Sequence, residues 1–597
     1  DVSKNTTLTS LGIRATQLTS LDVSSNTALE HLYVNDNQLT SLDVSSNTAL
    51  ITLWCQDNQL TYLNMRNGIT DALNGIGPED TDFNATNNSS LTCIETSDPA
   101  WATANWTSAN GNIDSGVTFA VICGGTAVIT WHVATTGSDG SGSGTLASPL
   151  STIQTGVNAT SDGDTVLVAA GTYKENVYLE NPDGGVRKNI SVIGENRNTT
   201  IIDGNQNGSV FNIINNRHSS SFLKNFTIQN GTGIEGAGGG VKISGGTAVL
   251  ENLIIKDNAV GADGGGVWSW SSDLTIKYSK IISNTAGNFG GGIISQQTGS
   301  ITLKDVYVEN NTAMHGGGVY VDKTRAIFSG TVFLLNNHAN NEGGGIAWNG
   351  AANDQILTNL VIADNTAQYR GAGIVIHNNS FYIKNSTIVN NKAVGPAGGL
   401  FLSHNAKVKV NNSIFWGNSP HQIWFDDNTG NDPSELSVTY SDVQGGKSAI
   451  PTNEKGTISW DAGNLDVYPK FVDSTNYDFR LLASSLLINA GHPDSSDSDA
   501  TIADIGANPY LNTYSGPGWW VCDTCNDTTG TGAGPTAFGS IQAAINFAED
   551  GDSVLVGSGT YFENINFRGR NILVKGQDGA EKTIIDGNQN GSVVTFK

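Results

Sequence analysis

The chain is poor in charge, in cysteine and in long apolar runs. Charged residues make up only 14% of it, which excludes a coiled coil or a helical bundle, because those folds need abundant Ala, Glu, Lys and Leu. No strict Gly-X-Y repeat occurs, which excludes collagen. No apolar run reaches the eighteen or so residues of a membrane helix, so we expect no membrane insertion in this segment.

Basic residues are scarcer still. Lys and Arg number 30 against 55 Asp and Glu, for a net charge of −25. That field repels a nucleic-acid duplex and an anionic lipid surface, so neither is an expected partner, and it suits a secreted or cell-surface protein. The 597 residues suggest about three or four domains. The chain begins inside one repeat at Asp1 and stops inside another at Lys597, which predicts a processed form or a fragment.

Repetition dominates what is present. Leu21, Leu42 and Leu63 lie 21 residues apart, and the pattern LxxLxLxxN occurs twice in each period. The L-x-L alternation predicts short strands with one buried face, and the Asn can hydrogen-bond the turning backbone. The wording LTSLDVSSNTAL resembles the leucine-rich repeats of secreted Bacteroidota proteins. This resemblance predicts a leucine-rich-repeat domain over residues 1–75.

Residues 91–123 resemble the segment that closes such repeats. A repeat array needs a cap over its last open layer, so we assign a cap to residues 76–124. Cys93 and Cys123 stand at the two ends of this cap. A disulfide between them would close a loop of about thirty residues and contribute roughly 3–4 kcal/mol in the chain-entropy model. Two free thiols are the alternative. Cys55 occupies a core position of the L-x-L pattern and is expected to be unpaired.

A second repeat, with a period near 26 residues, fills the middle of the chain. Glycine clusters are each followed by an aliphatic residue, at Val241, Val267, Ile293, Val319, Ile346, Ile374 and Leu400. Asparagines precede most clusters by six residues, at Asn258, Asn284, Asn310, Asn337, Asn365 and Asn391. Short alternating segments between these markers predict strands, and the whole predicts a parallel β-helix with a stacked asparagine ladder. The repeats resemble those of polymorphic outer-membrane proteins and pectate-lyase-like β-helices, which implies a right-handed β-helix.

We assign this β-helix and its closing region to residues 129–515. The amphipathic stretch around Ile153 and Val157 predicts a short helix that caps the first coil. The phrases YPKFVD and ADIGANPY resemble the closing region of β-helix surface proteins with variable sorting anchors. The segment IIDGNQNGSV occurs twice, at 201–210 and 584–593. A second β-helix therefore begins within residues 516–597, and the predicted architecture is mainly β throughout.

Familiar catalytic motifs are missing. GGKS at 445–448 lacks the first glycine of a P-loop, and no HExxH occurs. Cys522-x-x-Cys525 has no further zinc ligands nearby, so a local disulfide is the favoured interpretation. Four aspartates could offer oxygen ligands to Ca²⁺, with a solvated acidic loop as the alternative: Asp494, Asp497, Asp499 and Asp504. No other cofactor is expected.

The remaining candidate site is a surface. If the aliphatic residue after each glycine cluster points inward, strand alternation turns the next residue outward. The first outward column is then Lys242, Trp268, Ile294, Tyr320, Ala347, Val375 and Phe401; the second is Ser244, Trp270, Gln296, Asp322, Asn349, His377 and Ser403; the pre-glycine column is Asp263, Phe289, His315, Glu342, Arg370 and Pro396. Aromatic faces with polar edges suit sugar rings, so the candidate ligand-binding residues are Trp268, Trp270, Tyr320 and His377. The alternative is that these columns are covered or only decorate a sheet.

The sequence favours a non-catalytic extracellular or cell-surface module for adhesion, glycan binding or assembly. Its expected partner is a glycan or another surface protein, and self-assembly is a further option. A polysaccharide lyase or hydrolase on the same fold is the alternative, in which His315, Glu342 and Arg370 would be the catalytic residues. A purely structural stalk is the second alternative.

Overall fold

The computed structural model describes residues 2–67, 82–96, 99–120, 123, 129–179, 189–234, 236–350, 355–426, 432–454 and 456–596. Strands hold 41% of the chain and helices 5%, so the prediction of a mainly β protein is confirmed. Among the strands described, pairing is parallel except between Phe471–Asp473 and Asp478–Leu481. Parallel pairing between consecutive coils is the defining feature of a solenoid.

The first part of the chain is a two-sheet solenoid. Sheet A contains Ser10–Gly12, His31–Tyr33, Thr52–Trp54 and Phe83–Asn84, and sheet B contains Ser41–Asp43, Tyr62–Met65, Cys93–Thr96 and Thr118–Ala120. Leu32 and Leu42, one from each sheet, are buried in a common core. The amide of Asn47 donates to the carbonyls of Val23 and Asn26 in the coil before it. The assignment of this two-sheet solenoid to the leucine-rich repeats stays a prediction.

The end of this solenoid is closed by a helix and a disulfide. Helix α1 spans Pro99–Asn105, and the Cα atoms of the bonded Cys93 and Cys123 lie 5.6 Å apart. Cys55 is buried and has a free thiol. The predicted cap disulfide is therefore confirmed, together with the unpaired core cysteine. Part of the predicted cap, residues 76–81, lies outside the described residues.

Four parallel sheets form the central β-helix. Sheet C contains Thr130–Val133, Thr165–Val168, Val177–Tyr178, Ser191–Gly194, Phe211–Lys224, Val241–Glu251, Val267–Trp270, Asp273–Lys277, Ile293–Gln296, Ser300–Lys304, Val319–Asp322, Arg325–Ser329, Ile346–Asn349, Ile374–His377, Leu400–Ser403 and Ile423–Phe425. Sheet D contains Gly171–Lys174, Thr200–Asp203, Thr227–Gln229, Ile254–Lys256, Lys280–Ile282, Tyr307–Glu309, Val332–Leu335, Leu360–Ala363, Thr387–Val389, Ile414–Trp416 and Asp442–Val443. Sheet E contains Ala259–Val260, Thr285–Ala286, Thr312–His315, His338–Glu342, Thr366–Ala367 and Lys392–Ala393. Sheet F contains Gln355–Thr358, Ser380–Lys384, Lys407–Asn411, Ser434–Thr439 and Gly456–Trp460.

The coils stack in the register that the glycine clusters predict. Val241 pairs with Val267 and Val267 with Ile293, and the alignment continues without a break to Leu400. These aliphatic side chains point into one long core and are almost fully buried. The parallel register and the shared core confirm the prediction of a parallel β-helix, a fold in which each coil buries its apolar face against its neighbours.

A buried asparagine ladder runs along one corner of the coils. Its members are Asn258, Asn284, Asn311, Asn337, Asn365, Asn391 and Asn418. From Asn284 onward, each side-chain oxygen accepts from the backbone and side-chain amides of the preceding member, as Asn311 does from Asn284 at 2.9 and 3.0 Å. The prediction of Asn310 as a member is wrong. Asn310 is exposed, with a left-handed φ of 57°, and its neighbour Asn311 occupies the buried position.

Glycine is needed where the chain turns beside the ladder. Gly343 has φ 71°, and a Cβ there would lie 2.5 Å from the Cβ of Ala347. A side chain at this position would thus be strained in its backbone and would clash with the first outward column. The glycine therefore lets the pre-glycine residue Glu342 sit directly beside that column.

The two predicted starting coils use the same contacts. Helix α2, Ile153–Ala159, confirms the predicted short helix, and helix α3, Ile541–Phe547, is its counterpart. The Glu175 carboxylate accepts from the first amides of α2, and Glu563 does the same for α3. The strand Gly518–Val521 precedes α3, and further parallel strands follow it: Ser553–Val556, Gly559–Phe562, Ile565–Asn566, Leu573–Gly576, Thr583–Asp586 and Val594–Thr595. The domain boundaries themselves stay a prediction.

The closing region, residues 464–510, connects the two β-helices. It packs on the outer face of sheet D, where Val361 and Ile414 share a core with Phe479. Asn546 of α3 donates to the carbonyls of Ala483 and Ser485 at 2.8 and 2.7 Å. Nearby, a disulfide closes the Cys522-x-x-Cys525 turn, as predicted. Within the described residues, no helix has the length and apolar character needed to cross a membrane.

One carboxyl under the closing region is buried with a single partner. Asp442, at the end of sheet D, is fully buried, and its Oδ1 accepts from the backbone N–H of Val467 at 3.0 Å. Its Oδ2 has no hydrogen-bond partner among the described residues. Burial, and to a smaller extent the charge of Asp466, raises the pKa of Asp442 to about 7 from its ordinary 3.8.

We expect the substitution Asn311→Ala to destabilise the protein by roughly 1–3 kcal/mol, because it leaves the buried amides of Asn284 without an acceptor. Asn310→Gly is the matched control, since glycine tolerates the left-handed backbone and the side chain is exposed. Urea denaturation measures both variants. Equal midpoints for the two variants would show that the buried ladder does not support the fold.

We expect Asp442→Asn to remove a pH-dependent part of the stability. The raised native pKa means that the native state holds this proton between pH 4 and 7 while the unfolded state releases it. The contribution of Asp442 is therefore complete below about pH 4, falls by about 1.4 kcal/mol per pH unit, and is lost above pH 7. Denaturation curves at pH 5 and pH 8 measure the free energy of unfolding of both proteins. The stability of the variant relative to the parent protein should be higher at pH 8 than at pH 5. A difference that is independent of pH contradicts this account.

Candidate functional site

The outward columns form a groove along the central β-helix. The strand register aligns Trp268, Ile294 and Tyr320 on successive coils, and Trp270, Gln296 and Asp322 beside them. Sheet E and the turns after it carry the pre-glycine column, in which His315 pairs with Glu342 and Glu342 with Arg370. Coils are about 4.8 Å apart, so the groove extends parallel to the solenoid axis.

The first outward column is less exposed than expected. Ile294, Val375 and Phe401 are at most 1% exposed, and Tyr320 is 9% exposed. They form a second apolar cluster outside the main core, together with Ala347 and Ala397. The turns of the pre-glycine column cover these side chains, so most of the column is the floor of the groove and not a free aromatic platform.

The aromatic residues at the first end of the groove are more accessible. Trp268 is partly buried, and Trp270 is 39% exposed. Their rings stack with 5.9 Å between centroids and 14° between planes. Lys242 lies on the preceding coil, and its ammonium group is 5.5 Å from the centroid of the Trp268 ring. This end therefore offers one broad indole face to a ligand.

Glu342 is the centre of the polar cluster. Its Oε1 accepts from His315 Nδ1 and from His377 Nε2, both at 3.3 Å, and its Oε2 accepts from Arg370 Nε at 2.8 Å. Burial alone would raise the pKa of Glu342, but hydrogen bonds from His315, His377 and Arg370 lower it well below its usual range. The carboxylate is therefore ionised, and it holds the side chains of His315, His377 and Arg370 in place.

Arg370 connects this cluster to a second carboxylate. Its Nη1 lies 4.0 Å from Asp426 Oδ1, and its guanidinium covers the ring of Phe401 at 4.6 Å. Ser403 Oγ donates to Asp426 Oδ2 at 2.6 Å and lies 2.5 Å from His404 Nδ1. The predicted trio of His315, Glu342 and Arg370 is thus part of a larger polar cluster. The further members are Ser403, His404 and Asp426.

These groups surround a cavity of about 310 Å³ midway along the groove. It is lined by Phe289, His315, Tyr320, Glu342, Ala347, Trp348, Asn349, His377, Asn378 and His404. Phe289 stacks on His315 and leans on Tyr320, with centroids 5.2 and 4.5 Å apart. Burial raises the pKa of Tyr320 to about 12, so its hydroxyl keeps its proton at neutral pH.

Sequence reasoning identified part of this cavity and missed the rest. Tyr320 and His377, two predicted ligand-binding residues, line it; Trp268 and Trp270 lie outside it, at the end of the groove. His404 was missed because it follows the strand at a left-handed turn residue, with φ 53°, where alternation no longer says which way a side chain points. Its neighbour Ser403 in the second outward column was the available signal.

The predicted Ca²⁺ ligands are used by the backbone of their own loop. Asp504 is buried and accepts from the amides of Asn489 and Tyr510, and Asp497 accepts from the amide of Asp504. Asp499 accepts from the amide of Asn512, and Asp494 is exposed. In the part of the chain that the structure describes, no three acidic, histidine or cysteine side chains are arranged to hold a metal ion.

No protein-family model matches the chain, and no curated protein matches it. Among solved structures, a pectate lyase is similar with 16% identity and a TM-score of 0.41, over 65% of this chain and 98% of the other. A rhamnogalacturonan lyase has 14% identity and a TM-score of 0.30, over 64% and 96%. A pectin methylesterase from carrot has 13% identity and a TM-score of 0.25, over 57% and 91%. Similarity at this level assigns neither an activity nor a site to this chain.

Proposed function

We propose that this chain is an extracellular saccharide-binding solenoid that holds a glycan in the groove without cleaving it. The observation that carries the proposal is the cavity beside Glu342, where aromatic rings and polar side chains converge on the outward columns. The secreted location and the leucine-rich-repeat assignment of residues 1–75 belong to the same proposal. The two disulfides favour an oxidising compartment.

The chemistry of the groove suits a sugar chain. Sugars present C–H faces to aromatic rings and hydroxyls to polar groups. The stacked Trp268 and Trp270 supply a ring face at one end, and His377 and Asn349 supply polar groups in the cavity. Trp268 and Tyr320 are two coils apart, about 10 Å, which is comparable to a short run of sugar units.

The charge balance of the cluster argues against cleavage of a polyuronate. β-Elimination requires a free positive charge to neutralise the uronate and a base to remove the proton. The guanidinium of Arg370 is already bonded to Glu342 and lies near Asp426, so its charge is balanced. The surrounding chain is strongly acidic as well, with a net charge of −25, and repels a polyanion. Neutral or cationic glycans are therefore the favoured ligands.

We expect the double substitution Trp268→Ala, Trp270→Ala to weaken glycan binding by about tenfold or more, because it removes the exposed ring face at the end of the groove. A glycan array identifies the ligand on the parent protein, and titration calorimetry then compares the affinities. Tyr307→Ala is the matched control, since Tyr307 is a comparably exposed aromatic residue on sheet D, away from the groove.

Equal binding by the parent and the double variant, or no binding by the parent, contradicts the proposal. Unsaturated products that accumulate from a polyuronate, and stop with Arg370→Ala, would instead establish the lyase alternative.

A further inference from the structure

The turn that contains the Cys522–Cys525 disulfide has a counterpart without cysteine at the start of the first β-helix. The two segments align without a gap from the strand before the turn to the starting helix, and Ala134 stands at the position of Cys522. Gly137 stands at the position of Cys525. In the first copy the amide of Gly137 donates to the carbonyl of Ala134 at 2.8 Å. In the second copy the amide of Cys525 donates to the carbonyl of Cys522 at 3.1 Å, so both turns close by the same backbone hydrogen bond.

The surroundings of the turn are also fixed in the same way in both copies. The carboxylate of Asp139 accepts from the backbone amide and from the hydroxyl of Thr152. Asp527 accepts from the same two groups of Ser540. In each copy the strand before the turn pairs in parallel with a strand of the next coil. Because the first copy forms this structure without a disulfide, the Cys522–Cys525 bond is not needed to form the turn.

The disulfide of the cap has a different relation to the fold. It joins Cys93 and Cys123, which are 30 positions apart, whereas Cys522 and Cys525 are 3 positions apart. The conformational entropy that a disulfide removes from the unfolded chain increases with the length of the loop that it closes. A bond that stabilises the native state is, by linkage, stabilised by folding to the same extent. Folding therefore protects the cap disulfide against reduction and protects the Cys522–Cys525 bond much less.

The Cys522–Cys525 bond lies at the surface of the protein. Both cysteines are half-buried, and the two residues between them, Asp523 and Thr524, are exposed. Exposed disulfides are the labile ones, since a thiolate can reach a sulfur atom without unfolding the protein. The carboxylate of Asp523 adds a negative charge beside the bond, and the chain as a whole carries a net charge of −25. A thiolate with a further negative charge is therefore repelled more strongly than one that also carries an ammonium group.

We propose that Cys522 and Cys525 form a thiol-exchange site, which reacts with small neutral or cationic thiols while the rest of the chain stays folded. The incoming thiolate attacks one sulfur, and a mixed disulfide forms as the Cys522–Cys525 bond breaks. The electron pair leaves on the other cysteine sulfur, which takes a proton from water. A second thiolate then attacks the small-molecule sulfur of the mixed disulfide, which releases the small-molecule disulfide and leaves the protein as a dithiol. This site goes beyond the proposed function and does not depend on it.

Graded mixtures of reduced and oxidised dithiothreitol test the order of reduction on the full chain. Free thiols are alkylated at each ratio, and peptide mass spectrometry measures the reduced fraction of each cysteine pair. We expect Cys522–Cys525 to be half reduced at a ratio of reduced to oxidised dithiothreitol at least about tenfold lower than the ratio for Cys93–Cys123. Circular dichroism should show an unchanged fold where only the Cys522–Cys525 pair is reduced.

Two double variants distinguish a labile disulfide from a structural one. The variant with Cys522→Ala and Cys525→Ala should keep the thermal midpoint of the parent protein within about one degree, because backbone hydrogen bonds hold the turn. The variant with Cys93→Ala and Cys123→Ala is the matched control. Its thermal midpoint should be lower, because this variant loses the constraint on a long loop of the unfolded chain.

The charge of the attacking thiol tests the role of Asp523. The probes are cysteamine, 2-mercaptoethanol and 2-mercaptoethanesulfonate, and each rate is divided by the concentration of the thiolate. At low salt we expect cysteamine to react about tenfold faster than 2-mercaptoethanesulfonate, and about 1 M salt should reduce the difference to within about twofold. Asp523→Asn should reduce the low-salt difference. Asp36→Asn, which changes an exposed aspartate of the two-sheet solenoid, is the matched control and should leave the difference unchanged.

Three results overturn this inference. Reduction of both disulfides at the same ratio, or of Cys93–Cys123 first, shows that the turn disulfide is not the labile one. A loss of thermal midpoint in the Cys522→Ala, Cys525→Ala variant as large as that of its control shows that the bond is structural. Equal low-salt rates for the three thiols show that the site does not select its thiol by charge.

Discussion

The stacking of one coil on the next through buried asparagine amides is the constraint on which the rest of the structure depends. Each ladder member ties two consecutive coils through its side chain and also bonds a backbone carbonyl of an earlier coil, as Asn337 does with Val308. A buried amide without such partners is costly, so the ladder allows only one register. That register aligns the outward columns, and the groove exists because the columns are aligned.

The glycine turns convert this regular stack into a site. Because a glycine with positive φ follows His315, Glu342 and Arg370, these side chains approach the first outward column closely. The column is thereby buried as a groove floor, and the carboxylate of Glu342 is placed where three donors reach it.

The closing region has a different physical role from the coils. It covers sheet D laterally with an apolar face and receives the starting helix of the second β-helix through Asn546 and Arg568. All seven residues of α3 are buried, whereas four of the seven residues of its counterpart α2 are not. Two copies of one motif thus have different surroundings, since burial depends on the neighbour that each copy meets.

The sequence by itself determined the repeats, because a fixed spacing of glycine, asparagine and aliphatic residues can satisfy its apolar and polar groups only in stacked coils. It therefore predicted the parallel β-helix, the inward column from Val241 to Leu400, the cap disulfide and the aligned outward columns. It did not distinguish Asn310 from Asn311, since both are asparagines and only the turn shows which one is buried. Tertiary structure alone decided that Ile294 and Phe401 are covered, that Asp497 and Asp504 accept from the backbone of their own loop, and that His404 joins Tyr320 in one cavity. The reason is that alternation specifies a direction within a strand, whereas the turns that fold over a column come from other coils, which are distant in sequence.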